Sequence, residues 1–197
     1  KKQIDVQIKK ITKARLNDRT SNSWISLRAL KKKKLALKDK IDGSSKEKVY
    51  DIELKYITSR GKWYHTSWKG DESKSGGIAS NIGIHFFDML QWIFGSMQDF
   101  SLDIKTNDTN AGTLVFKKAK VNWYLSINAN NLPQSAIDKG NSTYRTLSIE
   151  GEEIEFSKGF ADLHKVSYQR IIAGKGYGLS DAKKSIDIVS KIRNKVI

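Results

Sequence analysis

Three side chains in the stretch SGGIASNIGIHFFDMLQWIFG, residues 75–95, are of types that do chemistry: Asn81, His85 and Asp88. On a helix their spacing forms one row, which Trp92 continues. Histidine titrates near neutrality, so it can take a proton from a substrate hydroxyl and return it. A polar row bordering a buried stripe needs partners, because an unpaired buried polar group costs about 1–3 kcal/mol. Those partners are either protein or substrate. On the residues alone, a paired core histidine and a catalytic one carry equal weight. His85 and Asp88 could also share a metal, but no second ligand pair accompanies them, so no metal site is expected.

The segment before the row, TSRGKWYHTSWKGDESKSGG (58–77), reads as a twenty-residue loop. Loops of that length inside a compact domain are usually functional or disordered, and this one is rich in rings. Arg60, Lys62 and Lys69 offer cations for a carboxylate or phosphate. Trp63, Tyr64 and Trp68 offer ring faces for a sugar or a base. This loop favours the catalytic reading of His85.

Several elements must position these groups. A helix starting at Ile78 would bury Ile78, Ile82, Phe86, Met89 and Ile93 on one stripe. VYDIELKYI (49–57) alternates as a strand does, and further strands are expected at 99–105, 112–117, 120–128 and 145–149. A hairpin falls near Lys117 to Lys120, and a short strand at 154–156 follows a Glu150–Gly151 turn. Two helices close the chain at about 160–173 and 181–195, the second with Ser180 as N-cap and Asp181 at its positive end. Earlier, Ile4, Val6 and Ile8 alternate as a short strand, 23–41 reads as a helix, and DGSSKEK (42–48) as a linker. This order predicts an α+β fold on a mixed or antiparallel sheet: a basic leader over 1–48 and a body over 49–197.

Composition excludes several classes. With no cysteine, disulfides, thiol catalysis and cysteine-bound metals are absent. No apolar run could span a bilayer, and the charged N-terminal stretch is unlike a secretory signal, so no membrane partner and a cytoplasmic location are expected. The net charge is +15, but residues 1–48 hold 16 Lys/Arg against 5 Asp/Glu, whereas 49–197 hold 20 against 16. The excess therefore sits mainly in the leader, with Lys31 to Lys34 in a row. Without interleaved aromatic residues, that run reads as a solvated face, and nucleic acid is not the expected partner. GKGYG (174–178) follows no strand and completes no dinucleotide fingerprint, so it reads as a helix-ending turn. No G-x-S-x-G elbow is present either.

The stretch GGIASNIGIHFFDMLQWIFG resembles the helix signature of the C-terminal domain of the Gfo/Idh/MocA oxidoreductases, a double glycine leading into G-x-H-x-x-D. YITSRGKWYHTSWKGD before it and FADLHKVSYQRIIAGKGYGLSDAKKSIDIV after it extend the resemblance over about residues 49–193. Together they are similar to the bacterial UDP-N-acetylglucosaminuronate 3-dehydrogenases of surface-polysaccharide biosynthesis. The resemblance implies a large open sheet with helices on one face, packed beside an NAD-binding Rossmann domain. It implies hydride transfer from a sugar carbon to NAD, a nucleotide-sugar substrate and a homo-oligomer assembled through the sheet. It also makes His85 the active-site histidine, with Asn81 beside it where many relatives carry aspartate. Arg60, Tyr64, Trp68 and Lys69 then fall in the substrate-holding loop.

The chain departs from the family pattern in two places. Neither the Gly-rich loop of the Rossmann domain nor the E-K-P stretch, whose lysine works beside the histidine, is found in it. The resemblance therefore implies a partial chain, inactive alone. The rival expectation is a non-catalytic binding or assembly module that engages a protein or an acidic polymer.

Overall fold

The computed structural model describes residues 48–155 and 163–196, with the backbone alone for residues 155 and 163–166. The strand expected at 4–8, the helix at 23–41 and most of the 42–48 linker lie outside the described residues.

Strand β1, Tyr50–Thr58, opens the body. Two short helices follow, α1 (Lys62–Thr66) and α2 (Glu72–Ser75), with a 3-10 turn at Trp68–Gly70 between them. A π turn at Ala79–Gly83 runs into α3, Ile84–Phe94. Strands β2 (Met97–Lys105), β3 (Thr109–Phe116) and β4 (Ala119–Ser126) come next, then a short α4 (Gln134–Ile137). Strands β5 (Thr143–Ile149) and β6 (Glu152–Glu155) precede helices α5 (Leu163–Ile172) and α6 (Leu179–Asn194).

The six strands form one sheet in the order β2-β3-β4-β1-β5-β6. β1 runs parallel to β4, and the remaining pairs are antiparallel, so the sheet is mixed as expected. Every strand expected among the described residues is present, with ends displaced by up to three residues. The β5–β6 hairpin closes through Glu150 (φ 52°) and Gly151 (φ 86°), both left-handed, which matches the twist of the flanking strands.

Alternation along the strands separates two faces. Tyr50, Ile52 and Leu54 of β1, with Val121, Trp123 and Leu125 of β4, are buried. Ring contacts of Tyr50 with Phe94, Tyr56 with Phe86 and Trp123 with Phe87 set α3 against this face. α6 packs on α3 through Ser185, Ile188, Val189 and Ile192, a helical stripe. The opposite face exposes Glu53, Lys55, Lys120 and Asn122.

Three expectations are corrected by the structure. Ile78, Ile82, Phe86 and Ile93 are buried as expected, but Met89 is only half-buried, and the buried face extends to Phe87, Leu90 and Phe94, each 0 % exposed. The π turn takes more residues per turn than an α-helix, so it rotates the residues after it relative to a straight count from Ile78. The twenty-residue loop is built of short helical segments, because Asp71 and Ser67 accept backbone hydrogen bonds that start α2 and the 3-10 turn. Helix α6 begins at Leu179, with Ser180 inside it, and the Asp181 carboxylate accepts the Gly178 amide hydrogen at 2.8 Å. The 174–178 stretch does end a helix: Gly174 is left-handed (φ 68°), and the Lys175 amide donates back to the Arg170 carbonyl.

Candidate active site

The site gathers where β1 ends and the α3 helix begins. Backbone bonds from Ser59 to the Ser142 carbonyl and from Arg60 to the Ile127 carbonyl fix the departure of the chain from β1. Gly76 and Gly77 are both left-handed (φ 77° and 76°), a pair of conformations open to glycine at little cost, and they turn the chain from α2 into the π segment. A Cβ on Gly83 would lie 2.7 Å from Leu125 Cδ1 and 2.8 Å from Phe87 Cε2. Glycine there lets the π turn, which contains Asn81, lie directly on the sheet. Single π turns recur at functional sites.

The polar row divides. Asn81 Nδ2 donates to Tyr64 Oη at 3.1 Å and to the Lys69 carbonyl at 3.3 Å. Asp88 Oδ1 accepts from Ser185 Oγ on α6 at 2.6 Å, so its partner is protein and its work is to hold two helices together. His85 between them is exposed, and no hydrogen bond among the described residues engages its imidazole. The arrangement leaves the histidine available to solvent or substrate.

Asn81 also sets the polarity of Tyr64. The Lys69 carbonyl can only accept, so the amide nitrogen must face it, and the same NH2 group then donates to the phenol oxygen. The phenolic hydrogen is thereby left to donate elsewhere. Burial pushes the Tyr64 pKa up, against the smaller lowering by the Asn81 hydrogen bond and the Arg60 charge. The phenol remains protonated across the neutral range.

The cations and rings of the loop extend outward from this point. The Arg60 guanidinium lies over the Tyr64 ring at 5.9 Å, and its buried Nε has no hydrogen-bond partner among the described residues. Lys69 Nζ lies 6.0 Å from the Trp63 ring centre and 5.8 Å from that of Trp68. Both indoles are exposed, at 55 % and 58 %. Arg60, Tyr64, Trp68, Lys69 and Asn81 are thus brought into one chain of contacts. His85 follows one turn beyond Asn81, and among the described residues no hydrogen bond or ring contact joins it to the loop.

Sequence reasoning missed Arg145 of β5, which pairs in register with Tyr56 and lies 5.0 Å over its ring. That ring in turn meets Phe86, the neighbour of His85. The available signal was a charged residue at an inward position of an alternating strand. Lys105, near the same end of the sheet, is committed to structure, donating to the carbonyls of Arg193 (2.7 Å) and Lys195 (3.3 Å) at the negative end of α6.

The family model of the Gfo/Idh/MocA oxidoreductases, for their C-terminal alpha/beta domain, matches residues 38–134. The chain belongs to this family and carries that domain. A solved WlbA (WbpB) dehydrogenase from Thermus thermophilus, in complex with NAD and alpha-ketoglutarate, is similar at 43% identity and TM-score 0.77 over 84% of this chain and 53% of its own. The same dehydrogenase in complex with NAD and UDP-GlcNAcA gives 43% identity, TM-score 0.76 and coverage of 83% and 52%. The Bordetella pertussis WlbA dehydrogenase shares the fold at 16% identity and TM-score 0.61, over 89% of this chain and 57% of its own. The chain spans about half the length of these solved relatives.

Proposed function

We propose that the body of this chain, residues 49–197, is the substrate-binding half of an NAD-dependent dehydrogenase. Its substrate would be UDP-N-acetylglucosaminuronate, oxidised at the C3 hydroxyl. The observation that carries this reading is His85, exposed and without a hydrogen-bond partner among the described residues, in a row whose other two polar members are bound to protein. The Thermus thermophilus relative, solved with NAD and UDP-GlcNAcA, supports the choice of substrate.

In this reading, an imidazole nitrogen of His85 removes the C3 hydroxyl proton. Tyr64 donates its phenolic hydrogen to a substrate oxygen, and Arg60 pairs with the uronate carboxylate. Lys69 holds the diphosphate, with Trp68 beside it. Asn81 keeps both Tyr64 and Lys69 in place. NAD would supply the hydride acceptor. Among the described residues no strand passes through a glycine-rich turn into a long helix, the arrangement that holds the pyrophosphate of a dinucleotide in a Rossmann domain. The work assigned to this chain is therefore binding, orientation and proton removal. The proposal includes a homo-oligomer joined through the open sheet face, testable by sedimentation, and a cytoplasmic role in surface-polysaccharide biosynthesis.

The test is to combine the chain with the NAD-binding half of the Thermus thermophilus relative and compare it with its His85→Asn variant. The expected result is a kcat lowered by about 10² to 10⁴-fold with substrate affinity nearly kept. An unchanged kcat would remove His85 from the chemistry.

A further inference from the structure

We infer that Asp108 and Asn128 are positioning residues, which clasp the β2–β3 turn to the chain leaving β4. Through the Ile127 carbonyl this clasp holds Arg60 where it selects a substrate that carries a carboxylate. The inference deepens the proposed function and rests on it for the pairing of Arg60 with the uronate.

β1 and β4 run parallel, so both chains leave the sheet at the same end. The Arg60 amide donates to the Ile127 carbonyl at 3.3 Å, and the Ser59 amide to the Ser142 carbonyl at 2.8 Å. The excursion from β4 to β5 therefore brackets the two residues that lead into the site. Its start is held in turn by Asp108. The Ile127 amide donates to the Asp108 carbonyl at 2.9 Å, and Ser126 Oγ donates to the same oxygen at 3.1 Å. The Asp108 carboxylate spans the two segments. Its Oδ1 accepts from Thr106 Oγ1 at 2.9 Å, and its Oδ2 from Asn128 Nδ2 at 2.8 Å. These two bonds, Thr106 first, lower the Asp108 pKa against a smaller rise from burial, so the acceptor is charged at neutral pH.

A buried polar cluster backs the clasp. The fully buried Ser126 hydroxyl accepts from Asn131 Nδ2 at 2.9 Å and from the Asn128 amide at 3.0 Å. Buried Thr109 Oγ1 lies 3.2 Å from it and also accepts from Asn131, at 3.3 Å. Apolar contacts tolerate sliding, whereas a satisfied set of buried donors and acceptors specifies one arrangement. The cluster thus fixes where Ile127 presents its carbonyl. Placement matters for Arg60 because its buried Nε has no hydrogen-bond partner among the described residues, while its guanidinium lies over the Tyr64 ring. A buried donor left unpaired is costly, and a ligand oxygen relieves that cost. The guanidinium fork matches a planar carboxylate only when its orientation is set, and a loose Arg60 would turn to water instead.

The experiment titrates the 197-residue chain by calorimetry with UDP-N-acetylglucosaminuronate and with UDP-N-acetylglucosamine, which lacks the carboxylate. The acid should bind about tenfold or more tightly, and Arg60→Gln should abolish that preference. Asp108→Ala and Asn128→Ala should each cut the preference about fivefold or more and shift binding of the neutral sugar less than about twofold. Asp108→Asn, whose amide oxygen still accepts from Asn128, should keep most of it. A clasp that only stabilised the fold would leave the preference untouched well below the melting temperature. Amide hydrogen exchange gives a readout without ligand. Asp108→Ala should speed exchange at Arg60 and Ile127 about tenfold or more and leave Leu54, within β1, unchanged. The clasp alone is overturned if the preference is lost in Arg60→Gln but kept in both Ala variants, or if exchange at Arg60 does not change. A preference that survives Arg60→Gln would overturn the pairing with the uronate, and the selective role of the clasp with it. No binding of either nucleotide sugar up to about 10 mM would remove the proposed function and this inference together.

Discussion

The Asn81 amide nitrogen donates to Tyr64 Oη at 3.1 Å, and this bond decides which way the phenol can donate. An aspartate at position 81 would reverse it. The phenolic hydrogen would go to the carboxylate, and the Lys69 carbonyl would lose its donor. Asn81→Asp and Tyr64→Phe should therefore each weaken binding of the UDP-sugar by about 5- to 50-fold. The double variant should be no worse than the poorer single one, since both changes remove the same donor. Calorimetry on the four proteins measures this. Additive losses would mean that Tyr64 does not act through Asn81.

Asp88 and Ser185 should show an asymmetric cost. Ser185 is 3 % exposed, so Asp88→Ala leaves a buried hydroxyl without its acceptor and should cost about 1–3 kcal/mol. Asp88 lies on an exposed position, and in Ser185→Ala its carboxylate can turn to water, for a cost of about 1 kcal/mol or less. Urea unfolding of the two variants decides between this order and the opposite one.

At Gly83 two effects oppose each other. In an ordinary helix, Gly→Ala stabilises by about 1 kcal/mol. Here the added methyl would meet Leu125 and Phe87, both 0 % exposed and closely packed, and overpacking costs about 1–3 kcal/mol. Gly83→Ala should lower the melting temperature and loosen Asn81 with it. A raised melting temperature would show that the π turn can lift off the sheet.

The Ser73 hydroxyl, with Lys74 next in size, lowers the Asp71 pKa from 3.8 to about 2. A carboxyl depressed by folding stabilises above its unfolded value, and that contribution is lost as pH falls through the folded one. The part due to Asp71 is therefore whole above pH 3.8 and disappears between there and about pH 2. Asp71 caps α2, next to Trp68 and Lys69, so the change should register in Trp68 fluorescence. Asp71→Asn should remove this part of the acid transition. An identical acid profile in the variant would remove Asp71 from it.

Much of the fold was present in local pattern. Tyr50, Ile52 and Leu54 alternate with Asp51, Glu53 and Lys55, and a strand with one buried face enforces that alternation whatever its neighbours are. The α3 helix and the closing α6 were legible for the same reason, through their apolar period. So were the residue types of the site, since few stretches combine Arg60, Tyr64, Trp68 and Lys69 with a histidine on a helix. What the sequence alone left open was the division of labour among them. Asp88 finds Ser185 97 residues away, and nothing local to either predicts the pair. The π turn at Ala79–Gly83 arises where Gly83 meets Leu125 of a distant strand, so a count along an ideal helix put Met89 too deep. Arg145 reaches the site only because β5 pairs with β1 in a register that sets it opposite Tyr56. Side-chain periodicity is a property of one element and can be read along the chain. Hydrogen-bond partnership depends on which elements meet, and tertiary packing alone decided that Asn81 and Asp88 serve the protein while His85 stays open.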